Sequence, residues 1–206
     1  MEVKLLHNSP LLLSIIGARN CYNSFEKSDS INKNEFVEYG EKDLNLINNL
    51  IKNGHHSVLE HVYYTFKIDG ISRALLQELV RHRIASYSVK STRYTLTELK
   101  KDENIDVDKY CVTEYLPGNI KSDLLNNLLI IKKLLNEGWA NDKVKYLLPE
   151  AYKTTVIMSI NARSLRNLFK LRTDKKALKE FQDLARNIFL ILPHEHLILF
   201  HDVIIF

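Results

Sequence analysis

Apolar residues recur at helical spacing in several stretches of the chain. In the clearest of them, Leu44, Ile47 and Ile51 lie three and four residues apart, and the pattern ends at Asn53-Gly54, a pair typical of a helix C-terminus. Further buried helix faces are predicted at Ile71, Leu75 and Leu79, at Leu124, Leu128, Ile131 and Leu135, at Leu165, Leu168 and Phe169, and at Leu178, Phe181, Ala185, Ile188 and Leu192. Asn161 is placed to cap the helix that carries Leu165.

A period of two replaces the helical period from His61 to Asp69, which predicts a strand with Val62, Tyr64, Phe66 and Ile68 on one face. Asp69-Gly70 is expected to turn the chain after it. Thr154 to Ile160 is rich in β-branched residues and fits either a strand or the start of a buried helix. Residues 100–104 are predicted to form a surface loop and residues 141–149 a short helix. The pattern indicates an α+β protein with helix in excess.

Composition limits the class of protein. The 206 residues carry 29 Lys and Arg against 25 Asp and Glu, and 45% are hydrophobic, which suits one globular domain with an ordinary core. No apolar stretch approaches the roughly 20 residues that span a bilayer, and no secretory signal is visible, so a cytoplasmic protein is expected. Cys21 and Cys111 stand far apart, which argues against a disulfide framework and a cysteine zinc site.

Chemistry-bearing side chains concentrate between Glu78 and Tyr94. Arg81-His82-Arg83 alone would fit a helix C-terminus, where the dipole favours positive charge. The same segment adds further hydroxyls, cations and aromatic rings, namely Ser86, Ser88, Ser91, Thr92, Lys90, Arg93, Tyr87 and Tyr94. Guanidinium groups hold oxyanions in bidentate geometry, so this set suits a phosphorylated ligand with a planar ring.

Three motifs resemble those of the flavin-dependent thymidylate synthases. Arg81-His82-Arg83 is followed after seven residues by Ser91 and then Arg93. The segment from Gly54 to His61 resembles the family's Gly-His-x-Ser-x-x-Glu-His motif, and Leu148-Pro149 with Asn161 to Arg172 resembles its third block. The order and spacing of the motifs hold over roughly residues 15 to 190. The resemblance implies a single domain over residues 1–206, with a central, mostly antiparallel β-sheet flanked by helices.

The resemblance also implies an activity, the reductive methylation of dUMP to dTMP. Methylenetetrahydrofolate would donate the carbon, and FAD reduced by NADPH would supply the hydride. The matching FAD positions are Ser57, Arg81, His82, Arg83, Val89, Asn161, Arg163 and Asn167. The matching dUMP positions are Glu78, Arg81, Val89, Lys90, Ser91, Arg93, Lys145 and Arg172. The family forms homotetramers with shared active sites, and the same assembly is expected here.

Arg172 and Ser91 are the candidate catalytic residues. Arg172 would stabilise negative charge on the uracil ring as N3 loses its proton, and Arg93 would bind the phosphate. Whether Ser91 attacks, polarises or positions the ring stays open, because no adjacent base is evident in the sequence. Neither cysteine stands in the Pro-Cys setting of the folate-only synthases, so the reduction is assigned to the flavin.

Three positions depart from the family pattern. Lys145 replaces a common Arg and loses its bidentate fork, Val89 replaces Glu or Gln and leaves only its backbone to bind, and Lys176 stands where some members have His.

Other polar features have simpler explanations. His55, His56 and His61 lack ligands at diagnostic metal spacing, so no metal site is expected. Glu60 is expected to make a structural hydrogen bond or a flavin contact rather than to act as a base. Residues 194–196 are predicted to form a loop, and the apolar tail 197–206 is predicted to be buried against the core or a partner subunit.

Two rival functions remain from the sequence. The basic segment with Tyr87 and Tyr94 also fits a nucleic-acid-binding module that stacks bases on aromatic rings. The balanced charge argues against this rival, and such a module leaves the segment from Asn161 to Arg172 without a role. The second rival is a flavoprotein of different chemistry on the same scaffold, against which the joint presence of Arg93 and Arg172 favours a nucleotide substrate. No membrane or nucleic-acid partner is expected.

Overall fold

A computed structural model of the chain describes residues 1–32 and 35–205. The helices are α1 Leu12–Cys21, α2 Glu41–Lys52, α3 Arg73–Leu79, α4 Thr92–Thr95, α5 Thr97–Lys101, α6 Val107–Tyr110, α7 Lys121–Asn136, α8 Asn141–Val144, α9 Ala162–Arg172 and α10 Lys179–Leu190. Short 3₁₀ helices cover Phe25–Lys27, Ser57–His61, Gly118–Ile120, Lys145–Leu147 and His194–Leu199. No helix in the described ranges is both long enough and apolar enough to cross a membrane.

The described residues also form six strands. They are β1 Glu2–Asn8, β2 Ile31–Asn32, β3 Glu35–Phe36, β4 Tyr63–Ser72, β5 Ala85–Val89 and β6 Lys153–Asn161. Four of them form an antiparallel sheet in the order β1-β4-β6-β5, and β2 pairs with β3 with Ile31 opposite Phe36. The predicted α+β class with an antiparallel sheet flanked by helices is confirmed.

The described residues group into two compact units. The first unit holds residues 1–2, 68–81 and 87–157, and the second holds residues 3–67, 82–86 and the described residues from 158 onward. The core of the first unit is formed by Leu96, Leu99, Tyr110, Cys111, Leu128, Ile131 and Tyr152. The core of the second includes Ile15, Ile47, Tyr64, Phe66, Leu165, Phe169, Phe181 and Phe200. The expectation of one domain over residues 1–206 stays a prediction.

The helical periodicity predicts α2 and α7 correctly, whereas Ile71 lies on β4 and not on the predicted helix, α3, which begins at Arg73. The stripe of α7 is buried at Leu124, Leu128, Ile131 and Leu135, as predicted. The helix that Leu44, Ile47 and Ile51 predicted is α2, whose C-terminal residue Lys52 is followed by Asn53 and by Gly54 at a φ of 75°. A positive φ is a conformation that favours glycine.

The predicted turn at Asp69-Gly70 is wrong, because β4 continues through both residues to Ser72. Gly70 has a φ of 75°, and buried side chains, which alternate up to Ile68, resume at Ile71. A glycine in this conformation shifts the alternation by one residue, as a β-bulge does. The strand therefore continues past Gly70, with the alternation of buried and exposed side chains shifted by one residue.

Of the other secondary-structure predictions, some are confirmed and some are wrong. The stretch 154–160 is a strand, β6, and a helix begins at Asn141 and ends before Pro149 as predicted. The loop predicted for 100–104 is partly wrong, because α5 extends to Lys101. Residues 194–196 form the first turn of a 3₁₀ helix rather than a loop.

The C-terminal tail is buried within the chain at its start, and its burial against a partner subunit stays a prediction. Leu199 and Phe200 are fully buried, whereas Ile205 is 61% exposed. Phe206 lies outside the described residues.

Candidate functional site

In chain order, the first motif runs from Gly54 to His61 and lies in the second unit. Its residues Ser57–His61 form a 3₁₀ helix. It is anchored to α1, because the Ser14 hydroxyl donates to the carbonyl of Val58 at 3.0 Å. The helix also passes close to Gly17, where a Cβ would lie 3.0 Å from the ring of His61. Ser57 is exposed at the start of this helix, so its hydroxyl is presented to solvent.

The third motif forms α9, and Asn161 begins it. The Asn161 side-chain oxygen accepts a hydrogen bond from the backbone N–H of Ser164 at 2.8 Å, and the residue is only 2% exposed. This cap satisfies one of the N–H groups that an isolated helix start leaves unpaired. Arg163 and Asn167 follow on the exposed face of the helix, four residues apart.

An ion pair joins the first and third motifs. Arg163 Nη1 donates to Glu60 Oε1 at 2.5 Å, and both side chains are about half exposed. The expectation of a structural hydrogen bond at Glu60 is confirmed. The pair places the exposed guanidinium of Arg163 beside the 3₁₀ helix that carries Ser57.

Arg172 lies at the other end of α9 and on another face. It follows Arg163 by nine residues, which corresponds to about 180° around an α-helix. Its Nε donates to Nε2 of His82 at 2.9 Å, so the Arg81-His82-Arg83 motif contacts α9 at this point. The guanidinium carbon also lies 4.5 Å from the centre of the Phe181 ring.

The Arg-His-Arg triplet does not end a helix. α3 stops at Leu79, and Arg81 lies in the turn beyond its C-cap, Val80. Arg81 and Arg83 are exposed, whereas His82 is only 5% exposed. Ile84 then adopts a φ of 60° and is 71% exposed. Such a conformation costs roughly 1–3 kcal/mol in an L-residue and tends to occur at ligand sites.

The segment from Val89 to Arg93 belongs to the first unit and begins at the end of β5. The backbone N–H of Lys90 donates to the carbonyl of Thr155 at 2.9 Å, and its ammonium group pairs with Glu98 at 2.8 Å. The carbonyl of Arg93 accepts from the side chain of Asn141 at 2.7 Å, while its guanidinium lies exposed above the ring of Tyr94. The backbone is thereby fixed at both ends.

Ser91 sits at the N-cap position of α4, and its backbone carbonyl accepts from the Thr95 hydroxyl at 3.0 Å. Its own hydroxyl is exposed, and within residues 1–32 and 35–205 no imidazole or carboxylate forms a hydrogen bond with it. A serine nucleophile needs such a base.

The remaining predicted substrate positions also lie in the first unit. Glu78 is half-buried on α3, and Val89 is 38% exposed at the last residue of β5. Lys145 begins a 3₁₀ helix and is half-buried, with its ammonium group 5.9 Å from the ring centre of Tyr146. A cavity of about 430 Å³ adjoins Lys90 and Thr92 and is lined on other sides by Asp69, Tyr110 and Tyr152.

Burial keeps three titratable side chains, Tyr87, Cys111 and His196, in their neutral forms around pH 7. Burial raises the pKa of Tyr87 to about 12, and its hydroxyl donates to the carbonyl of Leu79 at 3.0 Å. Burial raises the pKa of the Cys111 thiol to about 11, so that cysteine is not a thiolate nucleophile at neutral pH. Burial lowers the pKa of His196, whose Nδ1 lies 2.7 Å from the Tyr64 hydroxyl. In the described ranges no group of three His, Cys, Asp or Glu side chains is placed to hold a metal ion.

Sequence reasoning missed the contact between Phe181 and Arg172. Phe181 belongs to the apolar stripe of α10 and is fully buried, so its spacing assigned it to the core. No signal in the sequence distinguishes its contact with Arg172 from ordinary packing.

Comparison with known proteins gives a consistent result. A family model described as "Thymidylate synthase complementing protein" matches residues 4–196. The flavin-dependent thymidylate synthase of Wolinella succinogenes is 46% identical over 208 residues, covering 97% of both chains. That of Helicobacter pylori strain J99 is 45% identical over 215 residues, covering 98% of both. A crystal structure of thymidylate synthase X from Helicobacter pylori with FAD and dUMP superposes with a TM-score of 0.89 at 43% identity, covering 98% of each chain.

Proposed function

Because this chain belongs to the flavin-dependent thymidylate synthases, we propose roles for its residues in binding FAD and methylating dUMP. The chain is an FAD-dependent enzyme that converts dUMP to dTMP by reductive methylation. Methylenetetrahydrofolate as carbon donor, NADPH as reductant of the flavin, and a cytoplasmic location are further parts of the proposal.

The observation that carries the proposal is the placement of two arginines on α9. Arg163 lies on the exposed face beside the Ser57–His61 helix, and Arg172 lies on another face against His82. One helix therefore presents a cation to each of the other two motifs. A phosphorylated cofactor and an anionic substrate require separate cationic groups of this kind.

The exposed groups of the second unit fit the chemistry of FAD. Arg163 and Arg83 present guanidinium groups suited to a diphosphate, and Ser57 and Asn167 present hydrogen-bonding groups at the surface. We assign FAD binding to these four with Arg81, His82, Val89 and Asn161. When bound and reduced, FAD supplies the hydride that completes the new methyl group.

For dUMP, the proposed contacts divide between phosphate and base. Arg93 is exposed on a segment whose backbone is fixed, which suits phosphate binding. Val89, Lys90 and Ser91 precede it and would line the nucleotide, with Glu78, Arg81 and Lys145 completing the contacts. Ser91 positions the uracil ring in this proposal, since no imidazole or carboxylate of the described residues forms a hydrogen bond with its hydroxyl.

Arg172 provides the electrostatic contribution to catalysis. Loss of the N3 proton leaves negative charge on the uracil ring, and a guanidinium that is always protonated stabilises this charge. C5 then gives up its proton in exchange for the one-carbon unit. Because the hydride comes from the flavin, the folate is released as tetrahydrofolate and is not oxidised.

We also propose that the active sites are shared within a homotetramer. Arg163 and Arg172 are separated by about 180° around α9, so the two sides of the helix are directed to different surroundings. Sites built between subunits explain how one helix serves a cofactor site on one side and a substrate site on the other.

FAD affinity tests the cofactor assignment. Arg163→Ala should weaken FAD binding by about tenfold or more, because a charge-assisted bond to phosphate is lost. Lys170→Ala is the matched control, since Lys170 is an exposed cation on the same side of α9 but has no place in the motif. Titration of the FAD-depleted protein with FAD measures both. Equal affinity of the Arg163→Ala variant and the wild type would contradict the assignment.

A further inference from the structure

Phe181 is a buried aromatic residue with an unusual neighbour. It lies on α10 and is fully buried, yet its ring centre is 4.5 Å from the guanidinium carbon of Arg172. At this distance the positive charge is attracted to the negative face of the ring. The ring thus restrains the position of the guanidinium.

His82 restrains the same guanidinium at a second point. Its Nε2 accepts a hydrogen bond from Arg172 Nε at 2.9 Å. An accepting Nε2 requires a neutral imidazole that carries its proton on Nδ1. The His82 ring is itself held edge-on to Phe181, with ring centres 5.5 Å apart and planes at 76°.

These contacts leave Arg172 little choice of orientation. An arginine side chain has many rotamers, and an unrestrained one must be ordered when its ligand binds. The contact with Phe181 limits where the guanidinium can lie, and the bond to His82 sets the direction of its Nε–H.

We propose that Phe181 is a positioning residue for dUMP, which together with His82 holds the guanidinium of Arg172 in the orientation that meets the uracil ring. The inference rests on the proposed role of Arg172. It gives His82 a function beyond the predicted flavin contact, and it assigns a substrate-related role to a residue of α10.

A double-mutant cycle on dUMP affinity tests this role. The full-length, FAD-loaded protein is titrated with dUMP by calorimetry, which remains possible when turnover is lost. Phe181→Leu keeps an apolar side chain but removes the aromatic face, and it should weaken dUMP binding about fivefold to tenfold. In an Arg172→Ala background the same change should alter dUMP binding by less than about twofold, because the residue through which it acts is gone.

Phe189→Leu is the matched control. Phe189 lies on the same helix with its ring 6.1 Å from that of Phe169, and the change should leave dUMP affinity unaltered. Phe181→Met serves as a second variant if Phe181→Leu does not fold, with the thermal midpoint and FAD content measured for each.

The possible outcomes distinguish a failure of the positioning role of Phe181 from a failure of the proposed role of Arg172. An equal loss of dUMP affinity on changing Phe181 in both backgrounds would overturn the positioning role and leave Phe181 as a core residue. Unchanged dUMP affinity in the Arg172→Ala variant would instead contradict the proposed role of Arg172 itself.

Discussion

At the scale of single residues, Asp43 shows how a buried charge is held. Its side chain is fully buried and accepts from Arg19 Nε at 2.6 Å, from the Ser28 hydroxyl at 2.6 Å and from the Ser30 N–H at 2.9 Å. Burial acts to raise the pKa of Asp43, but the hydrogen bonds from Ser28, Ser30 and Arg19 outweigh it and hold the pKa below its ordinary value. The ionised form is therefore part of the native structure.

Replacing Asp43 by Asn should lower the free energy of unfolding at pH 7 by about 3 kcal/mol, because buried Arg19 loses its counter-ion. A lowered folded pKa stabilises the protein above the unfolded value of about 3.9, and this contribution is lost as the pH falls through the folded pKa. Urea unfolding at several pH values should show the difference between wild type and variant narrowing below about pH 4. A constant difference down to pH 2 would contradict this account.

Asp108→Asn is the control for that experiment. Asp108 pairs with Lys121 at 2.7 Å, but both side chains are about half exposed. Exposed pairs of this kind contribute little to stability, so the variant should unfold almost as the wild type does.

The chemistry of single residues was predictable only where it followed a motif. Arg172, Arg163 and Arg93 were selected from the sequence because their spacing matches a family pattern. Phe181 was not, since its contact with Arg172 depends on how α10 packs against α9, and its position in an apolar stripe is the same as that of any core residue.

At the scale of elements, periodicity predicted what depends on neighbours in sequence. The buried stripe of α7 and the cap of α9 by Asn161 are local features, and both are confirmed. The predicted end of β4 was wrong, because Asp69-Gly70 is typical of a turn, whereas pairing with neighbouring strands keeps the chain extended there. β6 could not be separated from a helix because a short apolar run fits both, and only its strand partners decide.

The bounds of α9 also set the spacing of Arg163 and Arg172. α9 begins at its Asn161 cap and ends at Arg172, so its length sets how far apart the two arginines lie. Nine residues correspond to about 13 Å along the axis as well as half a turn around it. The helix is thus a spacer between two cationic sites, and a change of one residue in its length would rotate one site relative to the other by about 100°.

At the scale of the whole molecule, shared active sites predict complementation between two variants, assayed at an FAD concentration that saturates the wild type but leaves most sites of Arg163→Ala empty. Arg163→Ala and Arg172→Ala remove groups on opposite sides of one helix. If each site takes the two arginines from different subunits, a mixed oligomer contains some sites in which both are intact. Unfolding and refolding an equal mixture should restore about a quarter of wild-type activity, because half of the subunit pairs are hybrids and half of the sites in each hybrid are intact.

The two variants mixed without subunit exchange provide the control for complementation and should keep the low activity of the separate variants. Wild-type protein carried through the same refolding measures recovery. No gain in activity after exchange, with wild type recovered in full, would show that both arginines of a site come from the same subunit.

The most direct test of the central claim is tritium release from dUMP labelled at C5. The FAD-loaded protein should release tritium to water only when methylenetetrahydrofolate and NADPH are both present. Arg172→Ala, at equal FAD content, should reduce the rate by about a hundredfold or more, because the positive charge that stabilises the uracil anion is gone. Wild-type protein that binds FAD and dUMP but releases no tritium would contradict the proposed reaction, and a fully active Arg172→Ala variant would contradict the proposed catalytic residue.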